Sequence, residues 1–170
     1  MPTGSAKTAL EFAQNFVDEL AIPIIGKEVT KEYSLDFSNL MDADNKQLEE
    51  FITMFGGYKA YLENQLAEIT ATKTAIEASF NENYSAAIYK LADEREAEGK
   101  KKLTREEVRG AAFSVYPALP ELRKEIMAHE AIYIRITGLL AAYKAAYDSV
   151  SRVITIRNLG REQLWTGQKL

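Results

Sequence analysis

Alternating steps of four and three residues separate the apolar positions of two long stretches of this 170-residue chain. The first reads Leu48, Ile52, Phe55, Lys59, Leu62, Leu66, Ile69, Lys73, Ile76 and Phe80. The second reads Leu122, Ile126, His129, Tyr133, Ile136, Leu140, Tyr143, Tyr147, Val150, Ile154, Arg157, Arg161 and Leu164. Such spacing keeps one stripe of a helix facing a partner along its whole length. It predicts an all-α fold: a long antiparallel helical hairpin, coiled-coil-like, with short accessory helices. A hairpin buries less surface per residue than a globule, so self-association into a homo-oligomer is expected.

Local signals place the helix ends. Asp44 opens the first long helix, with Gln47 three residues on as its capping-box partner. The heptads carry it to about Leu91, across Gly56 and Gly57, where the helix either kinks or lets a neighbour approach closely. The charged run from Ala92 to Lys102 reads as a solvated tip. Thr104-Arg105-Glu106-Glu107 is a second capping box, starting a short helix that should end near Val115, since a residue before proline disfavours helix. Pro120 suits the first turn of the last helix, which should reach about Leu159. Near the N-terminus, Leu10, Ala13, Phe16, Val17 and Leu20 form an amphipathic helix stopped by Pro23, and residues 27–41 are extended or a loose turn. The organisation read from these signals is an N-terminal arm, residues 1–41, and a hairpin domain, residues 42–170, with its tip at about 92–120.

Composition narrows the function classes. There are no cysteines and one histidine, His129, so neither a thiolate metal site nor a histidine dyad is expected. His129 has Glu125 four residues before it, not the Glu-x-x-His spacing of di-iron bundles. No Gly-rich phosphate loop is present. The reading is a non-enzyme with no cofactor and no metal. No apolar run reaches about 18 residues, and no basic-then-apolar leader opens the chain; no membrane partner and a cytoplasmic location are expected.

Charge is divided unevenly. Residues 1–99 carry 8 Lys+Arg and 18 Asp+Glu, a balance of −10, whereas residues 100–170 carry 13 and 7, a balance of +6. One basic end on an acidic chain points to a polyanion partner, although two halves of a hairpin can also neutralise each other. The candidate DNA-binding residues are Lys144, Arg152, Arg157, Arg161, Trp165 and Lys169. Arg157 and Arg161, four apart, share a helix face and could grip neighbouring phosphates, and Trp165 offers a ring for a base to stack on. The competing reading gives these arginines to salt bridges with the acidic first helix. Tyr143 and Tyr147 fit the core by amphipathic spacing. Lys59 and Lys73 read as polar seam residues that fix register, and His129 as a packed, hydrogen-bonded histidine.

The segments Asp36–Leu40 (DFSNL), Met54–Tyr61 (MFGGYKAY), Gly99–Val108 (GKKKLTREEV) and Ala146–Leu159 (AYDSVSRVITIRNL) make the chain resemble the bacteriophage recombination mediator family of the UvsY type, over roughly residues 35–165. The resemblance implies an accessory factor of homologous recombination in the host cytoplasm. Such a factor binds single-stranded DNA as a homo-oligomer and helps load a RecA-like recombinase onto DNA coated by single-strand DNA-binding protein. The basic pair tied to DNA binding in that family falls in its first long helix. The corresponding stretch here, around Ala75–Lys90, holds only Lys90 as a base, so no contact residue carries over. The alternative from another class is a structural coiled-coil phage assembly or scaffold protein with no nucleic-acid role.

Overall fold

A computed structural model describes residues 4–22 and 37–167, with side chains placed for 7–22 and 40–161. The chain is all-α, a helical hairpin with additions: α1 (Gly4–Glu19), a 3-10 turn (Phe37–Asp42), α2 (Asn45–Ala97), α3 (Arg105–Val115) and α4 (Ala118–Gly167). The long helix α2 packs against α4. Among the described residues no helix is long and apolar enough to cross a membrane. The fold divides into two compact units, each built from parts of both long helices: Met1–Phe16 with Ala67–Ile134, and Val17–Leu66 with Arg135–Leu170.

Both capping boxes form. Asp44 precedes α2, its carboxylate accepting from the Gln47 amide at 2.8 Å while its own amide donates to Gln47 Oε1 at 3.0 Å. Before α3, the Thr104 amide and hydroxyl both donate to Glu107 Oε2, at 2.8 and 2.9 Å, and the Glu107 amide returns a bond to Thr104 Oγ1. The bond from the Thr104 backbone, then that from its hydroxyl, holds the Glu107 carboxyl below the usual carboxylate range.

Two helices overrun the expected ends. α2 continues past Leu91 to Ala97 and α4 past Leu159 to Gly167. A single glycine such as Gly160 costs a helix only about 1 kcal/mol, too little to stop one by itself. What ends α2 is Gly99, in the left-handed region at φ +65°. There the Lys100 amide bonds back to the Arg95 carbonyl and the Gly99 amide to Glu96, the paired closure of a Schellman motif. The Arg95 guanidinium then fastens the next turn by donating twice to the Lys101 carbonyl, at 3.0 and 2.8 Å. On α1 the buried residues are Ala9, Ala13 and Val17, while Leu10 is exposed. The packed face is thus turned away from Leu10, because two alanines let the backbone approach its neighbour more closely than a leucine does. Of the expectation for residues 27–41, the described part is the 3-10 turn; residues 27–36 lie outside the described residues.

In the second unit the core is Leu48, Phe51, Phe55 and Leu62 of α2 against Ile136, Tyr143, Ala146, Val150 and Val153 of α4. Tyr143 is fully buried, its ring 6.1 Å from Phe55 and 5.1 Å from Tyr58. The Tyr147 ring lies over Gly56, where a Cβ would stand 3.5 Å away. α2 runs unbroken through both glycines; the contact at Gly56 is an ordinary van der Waals one that leaves room for a Cβ, and Gly57 has no neighbour within 4 Å among the described residues. In the first unit Ala87 and Leu91 of α2, Ala112 of α3 and Leu119 of α4 form one buried cluster, flanked by Phe80, Tyr84 and Phe113.

The seam lysines are structural. Lys73 is ion-paired with Glu130 and lies over the Tyr133 ring at 5.8 Å, and Lys90 lies over Tyr116 at 5.8 Å. In the second unit Lys59 lies over Tyr147 at 5.6 Å. Lys59–Tyr147 and Lys73–Tyr133 each join α2 to α4 within one unit, whereas Lys90 meets the residue that caps the end of α3. Each contact sets a lysine cation near an aromatic face, and for the seam lysines Lys59 and Lys73 a slip of one residue would break it.

The Lys73 bond to Glu130 raises the Lys73 pKa above its ordinary value. A group whose pKa is raised by folding adds stability that is complete below the unfolded pKa and is lost as pH climbs through the folded one. The loss therefore begins above about pH 10.5. Thermal melts taken on either side of that pH should show a steeper fall in Tm for the native chain than for Lys73→Met. Equal slopes would mean that the ion pair contributes nothing to the folded state.

Candidate nucleic-acid interface

The basic residues predicted on the last helix do not form one strip. At 100° per residue, Arg152 stands about 80° round α4 from Lys144, while Arg157 and Arg161 stand about 220° and 260° round. On the same scale the buried residues Tyr143, Ala146, Val150 and Val153 occupy about 180° to 260°. Arg157 is thus on the core-facing side and half-buried. Its Nη1 donates to Asn45 Oδ1 at 3.0 Å, and its Nη2 to the carbonyls of Met41, at 2.7 Å, and Ala43. Those bonds tie the 3-10 turn and the start of α2 to α4. Neither expected role of Arg157, phosphate grip or salt bridge to an acidic helix, describes this use of its guanidinium.

Lys144, Arg152 and Arg161 are exposed, and among the described residues none has a hydrogen-bond or ion-pair partner. Asp148 lies between Lys144 and Arg152 on their side of the helix and offsets part of their charge. Trp165 falls within α4 but its side chain is outside the described set, and Lys169 lies outside the described residues. His129 is half-buried, its Nδ1 2.9 Å from the Glu125 carbonyl oxygen, as its seam position implied.

A second group of cations sits at the tip of the first unit. Residues 100–124 hold seven basic residues and three acidic ones, a balance of +4. Lys100 and Lys124 are paired, with Glu98 and Glu121. The side chains of Lys101, Lys102, Arg105, Arg109 and Arg123 are exposed and have no hydrogen-bond or ion-pair partner among the described residues. Three of them, Arg105 and Arg109 from α3 and Arg123 from α4, line one cavity of about 480 Å³. Its other walls are the rings of Phe80, Tyr84 and Phe113, with Asn81 and one carboxylate, Glu106. Phe80 and Tyr84 are nearly parallel, with centroids 5.9 Å apart and planes at 7°, and Phe113 tilts 57° to Phe80 at 6.1 Å. All three rings are half-buried.

This arrangement costs the isolated protein stability. Arg105 and Arg109 are like charges one helical turn apart, which disfavours a helix by about 0.2–0.5 kcal/mol. Arg105 also occupies the first turn of α3, where the positive end of the helix dipole repels a cation. Among the described residues no carboxylate lies within ion-pair distance of either arginine, and Glu106 and Glu107 in the same first turn offset only the dipole part of the cost. An anion bound among the three guanidiniums would relieve both, and half-buried rings beside it give a planar group something to stack on.

Part of this cluster was within reach of the sequence. Arg105, Arg109 and Phe113 stand at i, i+4 and i+8 of a helix whose cap is recognisable, which puts them on one face. Arg123 comes from another helix and joins them only through the fold. Compared with family models, curated proteins and solved structures, the chain matches none.

Proposed function

We propose that this protein is a non-enzymatic, single-stranded DNA-binding accessory factor of recombination, acting as a mediator that helps a RecA-like recombinase displace single-strand DNA-binding protein. The observation that supports the reading is the gathering of unpartnered basic side chains around aromatic rings at the tip of the first unit. Guanidiniums neutralise phosphates, and exposed bases stack on rings whatever their identity, a combination suited to single strands and not to duplex DNA. The recombinase and single-strand-binding partners, and self-assembly, come from the resemblance to the UvsY type. A homo-oligomer would multiply a modest patch on each chain into a high-avidity surface. The scaffold alternative accounts for the lysine–tyrosine seam contacts but gives the arginine cluster no task.

Fluorescence anisotropy of labelled oligo-dT at two salt concentrations tests the proposal. Binding should weaken steeply with salt. The double charge reversal Lys101→Glu/Lys102→Glu should cost roughly tenfold or more in affinity and flatten the log–log salt slope by about 1.4, at ~0.7 per lost phosphate contact on a single strand. Absence of binding by the intact protein at low salt would sink the reading.

A further inference from the structure

We infer that the cavity lined by Arg105, Arg109 and Arg123 is a nucleotide-sized site for a phosphomonoester carrying an aromatic base. The inference deepens the proposed function and rests on its reading of the tip as a nucleic-acid surface. Its size argues first: about 480 Å³ falls in the ~300–1,000 Å³ span of small-ligand pockets, enough for one nucleotide and far too little for a duplex.

Charge argues second. Three guanidiniums against the single carboxylate of Glu106 leave an excess of two positive charges. An internal phosphodiester carries one negative charge, whereas a phosphomonoester carries about −1.5 to −2 near neutral pH. The excess therefore matches a terminal phosphate better than a chain-internal one. Arginines, unlike lysines, can each present a two-pronged donor fork to phosphate oxygens, and the cavity has two such forks from α3 and one from α4.

The rings argue third. Phe80, Tyr84 and Phe113 share the cavity with the arginines, so a base linked through its sugar to the bound phosphate reaches an aromatic face without leaving the site. Asn81 adds an amide able both to donate and to accept at a base edge. The same chemistry has two sources, the phosphorylated end of a strand and a free mononucleotide.

The full chain is titrated with dTMP, thymidine and inorganic phosphate by calorimetry, and with oligo-dT bearing a 5′-phosphate, a 3′-phosphate or neither by anisotropy. Arg105→Gln/Arg109→Gln/Arg123→Gln and the milder Arg123→Lys serve as variants, with circular dichroism to confirm that each is folded. A strand end as ligand predicts at least fivefold tighter binding of one phosphorylated oligonucleotide over the plain one, lost in the triple variant and reduced in Arg123→Lys. A free nucleotide as ligand predicts dTMP binding that thymidine does not match, abolished in the triple variant, with no gain from an end phosphate. If plain oligo-dT binds but neither the end phosphate nor dTMP adds anything that the triple variant removes, the inference is overturned while the proposed function stands. If oligo-dT does not bind at all, the proposed function fails, and the dTMP titration still decides this site. Binding of an Asp/Glu-rich peptide to the cavity in place of dTMP overturns it in favour of a protein partner.

Discussion

Truncation of Phe55 to alanine should lower the unfolding free energy by about 3–5 kcal/mol, the span for a fully buried phenylalanine that leaves a cavity behind. Phe55 is wholly inaccessible, stacked on Phe51 at 6.1 Å and meeting the edge of Tyr143 at 6.1 Å. Its removal costs both its own transfer from water and the ring contacts it makes, each aromatic pair contributing about 0.5–1.5 kcal/mol beyond area burial. Neighbours held in two packed helices cannot collapse far into the gap. Urea unfolding followed by circular dichroism measures the effect, with Tyr89→Ala as the control, since Tyr89 is 72% exposed. The control should stay within about 0.5 kcal/mol of the native chain. Equal midpoints for the two variants would show that the aromatic cluster around Tyr143 is not the stabilising centre of its unit.

Arg157→Ala should cost about 2 kcal/mol. A hydrogen bond from a charged donor contributes about 1.5–3 kcal/mol, and Arg157 makes three, to Asn45, Met41 and Ala43. The sum is not reached, because Met41 is exposed and Ala43 only half-buried, so water takes over part of what the guanidinium leaves. Arg157→Lys keeps the charge but loses the planar fork, and should recover less than half of the stability. Oligo-dT affinity should change little in either variant at temperatures where both are folded. A variant of native stability that has lost DNA affinity would instead return Arg157 to the phosphate contacts expected from its place in the last helix.

Helix type and most helix ends were legible in the sequence, because they are decided by local chemistry. Asp44 with Gln47 and Thr104 with Glu107 cap their helices through bonds spanning three residues, and Tyr116-Pro117 disfavours helix through its own backbone. Where a boundary depended on balance it was misplaced. The last helix runs past Leu159 because the penalty of one glycine, Gly160, is too small to stop it, and the extent of α2 is set by the closure at Gly99, beyond the last seam position. Around α1, Ala13 and Val17 of the expected face are buried and Phe16 and Leu20 half-buried, whereas Ala9 is packed and Leu10 exposed.

The two heptad stretches by themselves determined that the chain is all-α and that its long helices pair along their seams, since a 4-3 stripe has to be buried. They also marked Lys59, Lys73 and His129 as residues inside the packing. Only the tertiary structure decided what the other seam cations do. Arg157 and Arg161 follow one another on the stripe, yet the first is bound to the carbonyls before α2 and the second is left exposed, a distinction made by residues more than a hundred positions away. The same holds for the arginine cluster at the tip. Spacing puts Arg105 and Arg109 on one face, but Arg123 and the Phe80–Tyr84 pair reach them only when α3 folds down onto α2. Seams follow from periodicity because burial repeats with the helix; a site needs groups that periodicity does not relate.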